Sequence, residues 1–199
     1  MSKKALWVLL AATAGIQCRA DAIFNSVIIS PTQLMMIPHD TRLAYDIEHG
    51  SEGTNNNGDW IRLQAKGPEG EVTQTFRIQI IGDATGILGT PAVGEAEVKA
   101  VCAPYLSSSE EKKCIVQILS PPLGNIYYCL LTNAALAHNP TSPPGQFQYL
   151  FLGVFRIGGG VAVVIGNLSH KDDVNFRMMI QTLEGLSTLP ITGGAKKPA

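Results

Sequence analysis

Two adjoining stretches constrain this chain most: Tyr149-Leu-Phe-Leu152 and Val161-Ala-Val-Val-Ile165, each apolar at nearly every position. A strand with one wet face alternates apolar and polar residues, whereas a strand covered on both faces does not. The arms Phe147 to Ile157 and Val161 to Asn167 therefore predict a central hairpin with further layers on each side. Gly158-Gly-Gly160 between them reads as the turn. A phosphate cradle would need a helix directly after the glycines, and a strand-forming run follows instead.

The rest of the chain supplies candidates for those layers. Apolar runs at Val27–Ile29, Leu34–Ile37 and Leu43–Ile47 alternate with Pro31, Pro38 and polar turns, and a long polar loop spans 50–59. Trp60 to Ala65 and Glu71 to Ile81 read as two strands, the second with Val72, Phe76, Ile78 and Ile80 on one face and Gln74 as its polar interruption. The period then changes. Thr90-Pro91 opens a helix, and Val98, Val101, Cys102 and Tyr105 mark its buried stripe, with Pro104 ending it. Strands follow at Cys114 to Leu119 and Ile126 to Thr132, then the proline-rich approach to the central hairpin. A last helix opens at Asp172-Asp173, buries Phe176, Met179, Ile180, Leu183 and Leu186, and ends before Pro190. The expected fold class is α+β: an antiparallel sheet flanked by helices, with a β-sandwich carrying peripheral helices as the alternative.

The N-terminus predicts export. Lys3-Lys4, an apolar stretch from Ala5 to Ile16, and Ala20-Asp-Ala22 have the order of a secretory signal cleaved after Ala22, with cleavage after Ala20 as the second choice. The apolar stretch is shorter than the roughly 20 residues a spanning helix needs, and the mature chain has no transmembrane segment. The expected domains are residues 1–22 as signal peptide, 23–190 as a single α+β domain and 191–199 as a flexible tail, in a periplasmic or secreted protein. Removing the leader takes three of 15 basic and one of 16 acidic residues, leaving 12 and 15, a net charge of −3. A nucleic-acid binder needs a basic excess, so no nucleic-acid partner is expected.

No catalytic, cofactor-binding or metal-binding set emerges from the spacing of residues. His39, His49, His138 and His170 each sit beside turn residues, and none pairs at ligand spacing on a helix. Asp46, Glu48, His49 and Glu52 read as a solvated strand end, and 55–59 lacks the acidic residues that open and close a calcium loop. There is no Gly-x-Ser-x-Gly elbow and no Ser-x-x-Lys. Ser107–Ser109, Glu110-Glu111 and Asp172-Asp173 read as a polar linker, a solvated loop and a helix start.

Cysteines are the exception to this blandness. Three remain after the signal: Cys102, Cys114 and Cys129. An oxidising compartment favours one bridge. We expect Cys102–Cys114, which would pin the helix end to the next strand, and a free Cys129 in the middle of its strand. The rival pairing is Cys114–Cys129 across the hairpin, and the remaining alternative is three unpaired thiols.

The helix up to Tyr105, Gly124-Asn-Ile-Tyr-Tyr128, the approach at Pro143-Pro-Gly145, Tyr149 to Gly153 and the helix after Asp173 make residues 95–187 similar to uncharacterised small secreted proteins of Gram-negative bacteria. The element order resembles the PsbP-like α/β/α sandwich. That resemblance implies a fold and an address, and carries no catalytic motif. The expected role is a non-enzymatic binding or interaction module, without a cofactor, whose partner is a protein or small molecule bound at the sheet end or at loops 49–59 and 133–146. The alternatives are a hydrolase-type enzyme with a site assembled from distant residues, or a membrane-associated envelope factor.

Overall fold

The computed structural model describes residues 24–30, 32–38, 43–48, 60–66, 70, 72–81, 91–139, 143, 146–157, 160–169 and 174–191. Residues 1–23, expected to hold the signal, with His39, His49, His170, the loop 49–59, Asp172-Asp173 and the tail from 192, lie outside these residues, as do the expectations placed on them.

Among the described residues, ten strands form two antiparallel sheets. The larger has the order β3 (Leu43–Glu48), β4 (Trp60–Lys66), β5 (Val72–Ile81), β9 (Gly160–Leu168), β8 (Tyr149–Ile157), β7 (Ile126–Thr132) and β6 (Gln117–Leu119). It consists of two meanders joined where β5 pairs with β9, from Gln74 opposite Leu168 to Ile81 opposite Val161. The smaller sheet has the order β1 (Phe24–Ser30), β2 (Gln33–Pro38) and β10 (Ser187–Pro190). Helix α1 (Pro91–Cys102) continues as a 3-10 turn over Ala103–Ser108, and α2 (Val174–Glu184) precedes β10. No described helix is long and apolar enough to cross a membrane.

Strand alternation sorts β7 and β8 between two cores. Ile126, Phe151, Phe155 and Ile157 face one side, where they pack with Phe76, Ile78, Met178, Met179 and Leu183, together with Met35 and Ile37 of the smaller sheet. Tyr127, Cys129, Leu131, Leu152 and Val154 face the other, against Val98 and Cys102 of α1. One helix thus lies on each face of an antiparallel sheet, and the fold is α+β. The central hairpin sits near the middle of the sheet, as its apolar arms predict, although Val161, Val163 and Ile165 are only half-buried on the α1 side. Gln74 lies on the buried face of β5, in step with Phe76 and Ile78.

Helix α1 comes unusually near the sheet. A Cβ on Gly94 would lie 2.3 Å from the Tyr127 ring, so only glycine permits this separation. Gly costs about 1 kcal/mol relative to Ala in a helix interior, and the close approach explains its presence.

Four expectations are corrected locally. Tyr105 is 39% exposed, not on the buried stripe, because the chain tightens to the 3-10 period after Cys102. The strand expected from Cys114 begins only at Gln117, since only Gln117–Leu119 find ladder partners on β7, opposite Tyr128 to Ile126. Leu186 is buried but follows the end of α2. Strand β10, absent from the sequence reading, pairs with β2 from Ser187 opposite Met36 to Pro190 opposite Gln33.

Candidate functional site

Cys102, Cys114 and Cys129 come together between α1 and β7. Cys102 closes α1, Cys114 lies in the irregular segment before β6, and Cys129 projects from β7 toward the helix. Their sulfur atoms all lie within 4.8 Å of one another. Cys102 and Cys129 are buried, while Cys114 is half-buried.

The thiols are free, and the expected Cys102–Cys114 bridge is not at bonding distance: Cys114 Sγ donates to Cys102 Sγ across 3.5 Å, against about 2.05 Å for a disulfide. The expected pair is nonetheless brought together, with Cys129 as an unforeseen third member. Their protonation is uneven. A hydrogen bond with Cys102 pulls the Cys129 thiol down to about 6, with further help from Cys114 and the Ile115 backbone, against the opposing effect of burial. Burial, with a hydrogen bond to Cys129, pushes Cys114 up to about 11. Cys102 is pushed up first by its hydrogen bond to Cys129 and then by burial. Of the three thiols, Cys129 is therefore the most readily deprotonated.

Local bonding explains how Cys114 reaches this position. Glu111 turns back onto the end of β7, its carboxylate accepting the Thr132 backbone N–H at 2.8 Å and the Thr132 hydroxyl at 2.6 Å. The Glu110 N–H donates to the Thr132 carbonyl, and the Ala134 N–H donates to the Ser108 carbonyl, both at 3.0 Å. Lys112 adopts a φ of +53° and its ammonium donates to the Ser107 carbonyl at 3.1 Å. The chain is reversed and fastened, leaving Cys114 above the helix end. Glu111 is thus a structural anchor, which corrects its reading as part of a solvated loop.

An open cleft of about 220 Å³ lies on the same face, beyond the 3-10 turn. Tyr105 and Phe147 supply rings, and Ser108, Thr132, Asn133 and Asn167 supply hydroxyls and amides, while the Tyr149 ring packs toward the opposite core. Its floor is a row across three strands, Leu131 opposite Leu150 and Leu150 opposite Asn167. Gln148 fastens the neighbouring turn by donating from Nε2 to the carbonyls of Leu136, at 3.0 Å, and Ala137, at 3.1 Å. No carboxylate, ammonium, guanidinium or imidazole lines the cleft among the described residues. The Ser108 and Ser109 hydroxyls donate to the carbonyls of Tyr105 and Leu106, closing the 3-10 turn. His138 is exposed on the turn after β7.

Sequence spacing supplied no metal-ligand set because the three sulfurs come from a helix end, a loop and a strand. The available signal was the clustering of Cys102, Cys114 and Cys129 around one helix-to-hairpin connection. Comparison of the chain with protein-family models, curated proteins and solved structures finds no match.

Proposed function

We propose that the protein is an exported, non-enzymatic binding module of the periplasm, taking a small neutral ligand in the cleft beside residues 133–139. The observation carrying this reading is the cleft lining, which presents aromatic rings with hydroxyl and amide groups and, among the described residues, no charged side chain. Rings supply apolar contact area, and a few placed hydrogen-bonding groups supply orientation. A volume of about 220 Å³ falls below the roughly 300–1,000 Å³ typical of drug-sized ligand sites, so the ligand is of single-ring size. The serine hydroxyls facing this region bond to backbone carbonyls, an arrangement that favours binding over nucleophilic attack.

The leader at residues 1–22 supports the periplasmic address. The finer architecture we favour is a PsbP-like α/β/α sandwich, supported by one helix on each face of the main sheet, with the three-stranded sheet as an addition.

Amide chemical shifts of the protein recovered from the periplasm, titrated with neutral monosaccharides and cyclic amides, test the reading. Saturable shifts at Thr132, Asn133, Tyr149 and Asn167, abolished by Asn133→Ala, are expected. Shifts confined to other surfaces, or turnover of the added compound, would overturn it.

A further inference from the structure

We propose that Cys102, Cys114 and Cys129 form a three-thiolate site for a soft metal ion, with monovalent copper as its occupant. This inference is independent of the cleft and of any ligand bound there.

The geometry is close to that required. A metal–sulfur distance of about 2.3 Å sets the sulfurs of a tetrahedral site about 3.8 Å apart and those of a trigonal site about 4.0 Å apart. The cluster has one separation of 3.5 Å and all separations within 4.8 Å. Adjustments of no more than about 1 Å in any sulfur–sulfur separation therefore convert three thiols into three ligands, without rearranging the elements that carry them. Two of those elements are rigid: α1, seated against Tyr127 through Gly94, and β7, paired on both sides. The third is the loop held to Thr132 by Glu111.

Donor chemistry selects the class of ion. An all-sulfur set favours soft ions, whereas oxygen-rich sets favour calcium, magnesium and manganese. Structural zinc almost always takes four protein ligands. Among the described residues this cluster contains three, a number suited to trigonal monovalent copper. Access is also graded. Cys102 and Cys129 are 0% and 1% exposed, while Cys114 is half-buried, so an ion enters past Cys114 and finishes against the two buried sulfurs. Lys99 acts electrostatically on Cys114 and offsets part of the negative charge at the entrance.

The site is tested on the full chain, exported by the producing cell and recovered with and without reductant. Thiol counting on the unreduced protein comes first, with Cys18→Ser as a control for any uncleaved leader. Three free thiols are expected, and a Cys102–Cys114 or Cys114–Cys129 disulfide in the recovered protein would overturn a resident metal site. Monovalent copper is then added anaerobically under a competing chelator, and X-ray absorption counts the sulfur neighbours. One equivalent with three sulfurs at a single short distance is expected. Cys114→Ser, which alters only a half-buried position, and Cys129→Ser should each weaken binding at least about 100-fold, beyond the upper end of typical outer-shell effects. Circular dichroism checks that each variant is folded, and the half-buried Cys114 variant serves as the decisive one should Cys129→Ser unfold. Tighter binding of zinc with a fourth, non-sulfur ligand would overturn the copper assignment. Copper binding unchanged by Cys114→Ser, or no stoichiometric metal, would overturn the site.

Discussion

The two faces of the seven-stranded sheet are built from alternate residues of the same strands, yet they are made for different work. On one face Phe76, Phe151 and Phe155 meet α2 and the small sheet in a broad apolar layer. Phe151 is central there, with its ring stacked at 4.7 Å on Tyr128 and tilted at 5.1 Å against Phe76. On the other face α1 covers chiefly β7 and β8, and its smaller cluster gives positions to Cys102 and Cys129 that could have held larger apolar side chains. A step of one residue, from Leu130 to Cys129 or from Phe151 to Leu152, moves a side chain between these environments. The contrast separates a layer that stabilises the fold from one in which apolar volume gives way to sulfur chemistry.

Substitutions on the two faces test that separation. The largest effect belongs to Phe151→Ala, which removes both ring contacts from a fully buried position. Equilibrium denaturation should show a loss of about 3–5 kcal/mol, with the reactivity of Cys114 unchanged in the folded fraction. A loss below about 1 kcal/mol, small beside the usual cost of such a truncation, would mean that stability is not concentrated on the α2 face.

Glu111→Ala comes next. It strips the Thr132 N–H and hydroxyl of a charged acceptor, and hydrogen bonds to charged groups contribute about 1.5–3 kcal/mol. The loss should fall in that range, accompanied by faster alkylation of Cys114 as its segment loosens. Unchanged alkylation would show that Cys114 is held in place by something other than this carboxylate.

The smallest effect is expected for Cys129→Ala, at about 1 kcal/mol, near the centre of the distribution for point substitutions. Loss of copper binding with so small a stability change would sharpen the distinction between the faces. A stability loss as large as that of Phe151→Ala would erase it.

Much of the architecture was legible in the residues themselves. Alternation along β5 survived burial of Gln74, the unbroken apolar character of Leu150 to Phe155 marked a strand covered on both faces, and Pro104 coincides with the change from α to 3-10 geometry. The misses share a cause: each depended on partners distant in sequence. Ser187–Pro190 becomes a strand only because β2 is beside it, and four residues ending in proline carry no periodic signal. Glu111 resembles any loop carboxylate until Thr132 arrives with two donors. The three cysteines were visible as residues, but their convergence required the register that turns Cys129 toward α1.

The pairing of β10 with β2 also has a temporal meaning. The last strand closes a sheet whose other members stand near the beginning of the chain. That ladder cannot be completed until Ser187–Pro190 has left the ribosome, long after Gln33–Pro38. Until then the edge of β2 awaiting β10 stays unpaired, and such edges in partly folded chains invite aggregation. Late closure delays final assembly of the apolar layer containing Met35 and Ile37, so the interval between synthesis of β2 and synthesis of β10 is the period in which this polypeptide most needs an escort.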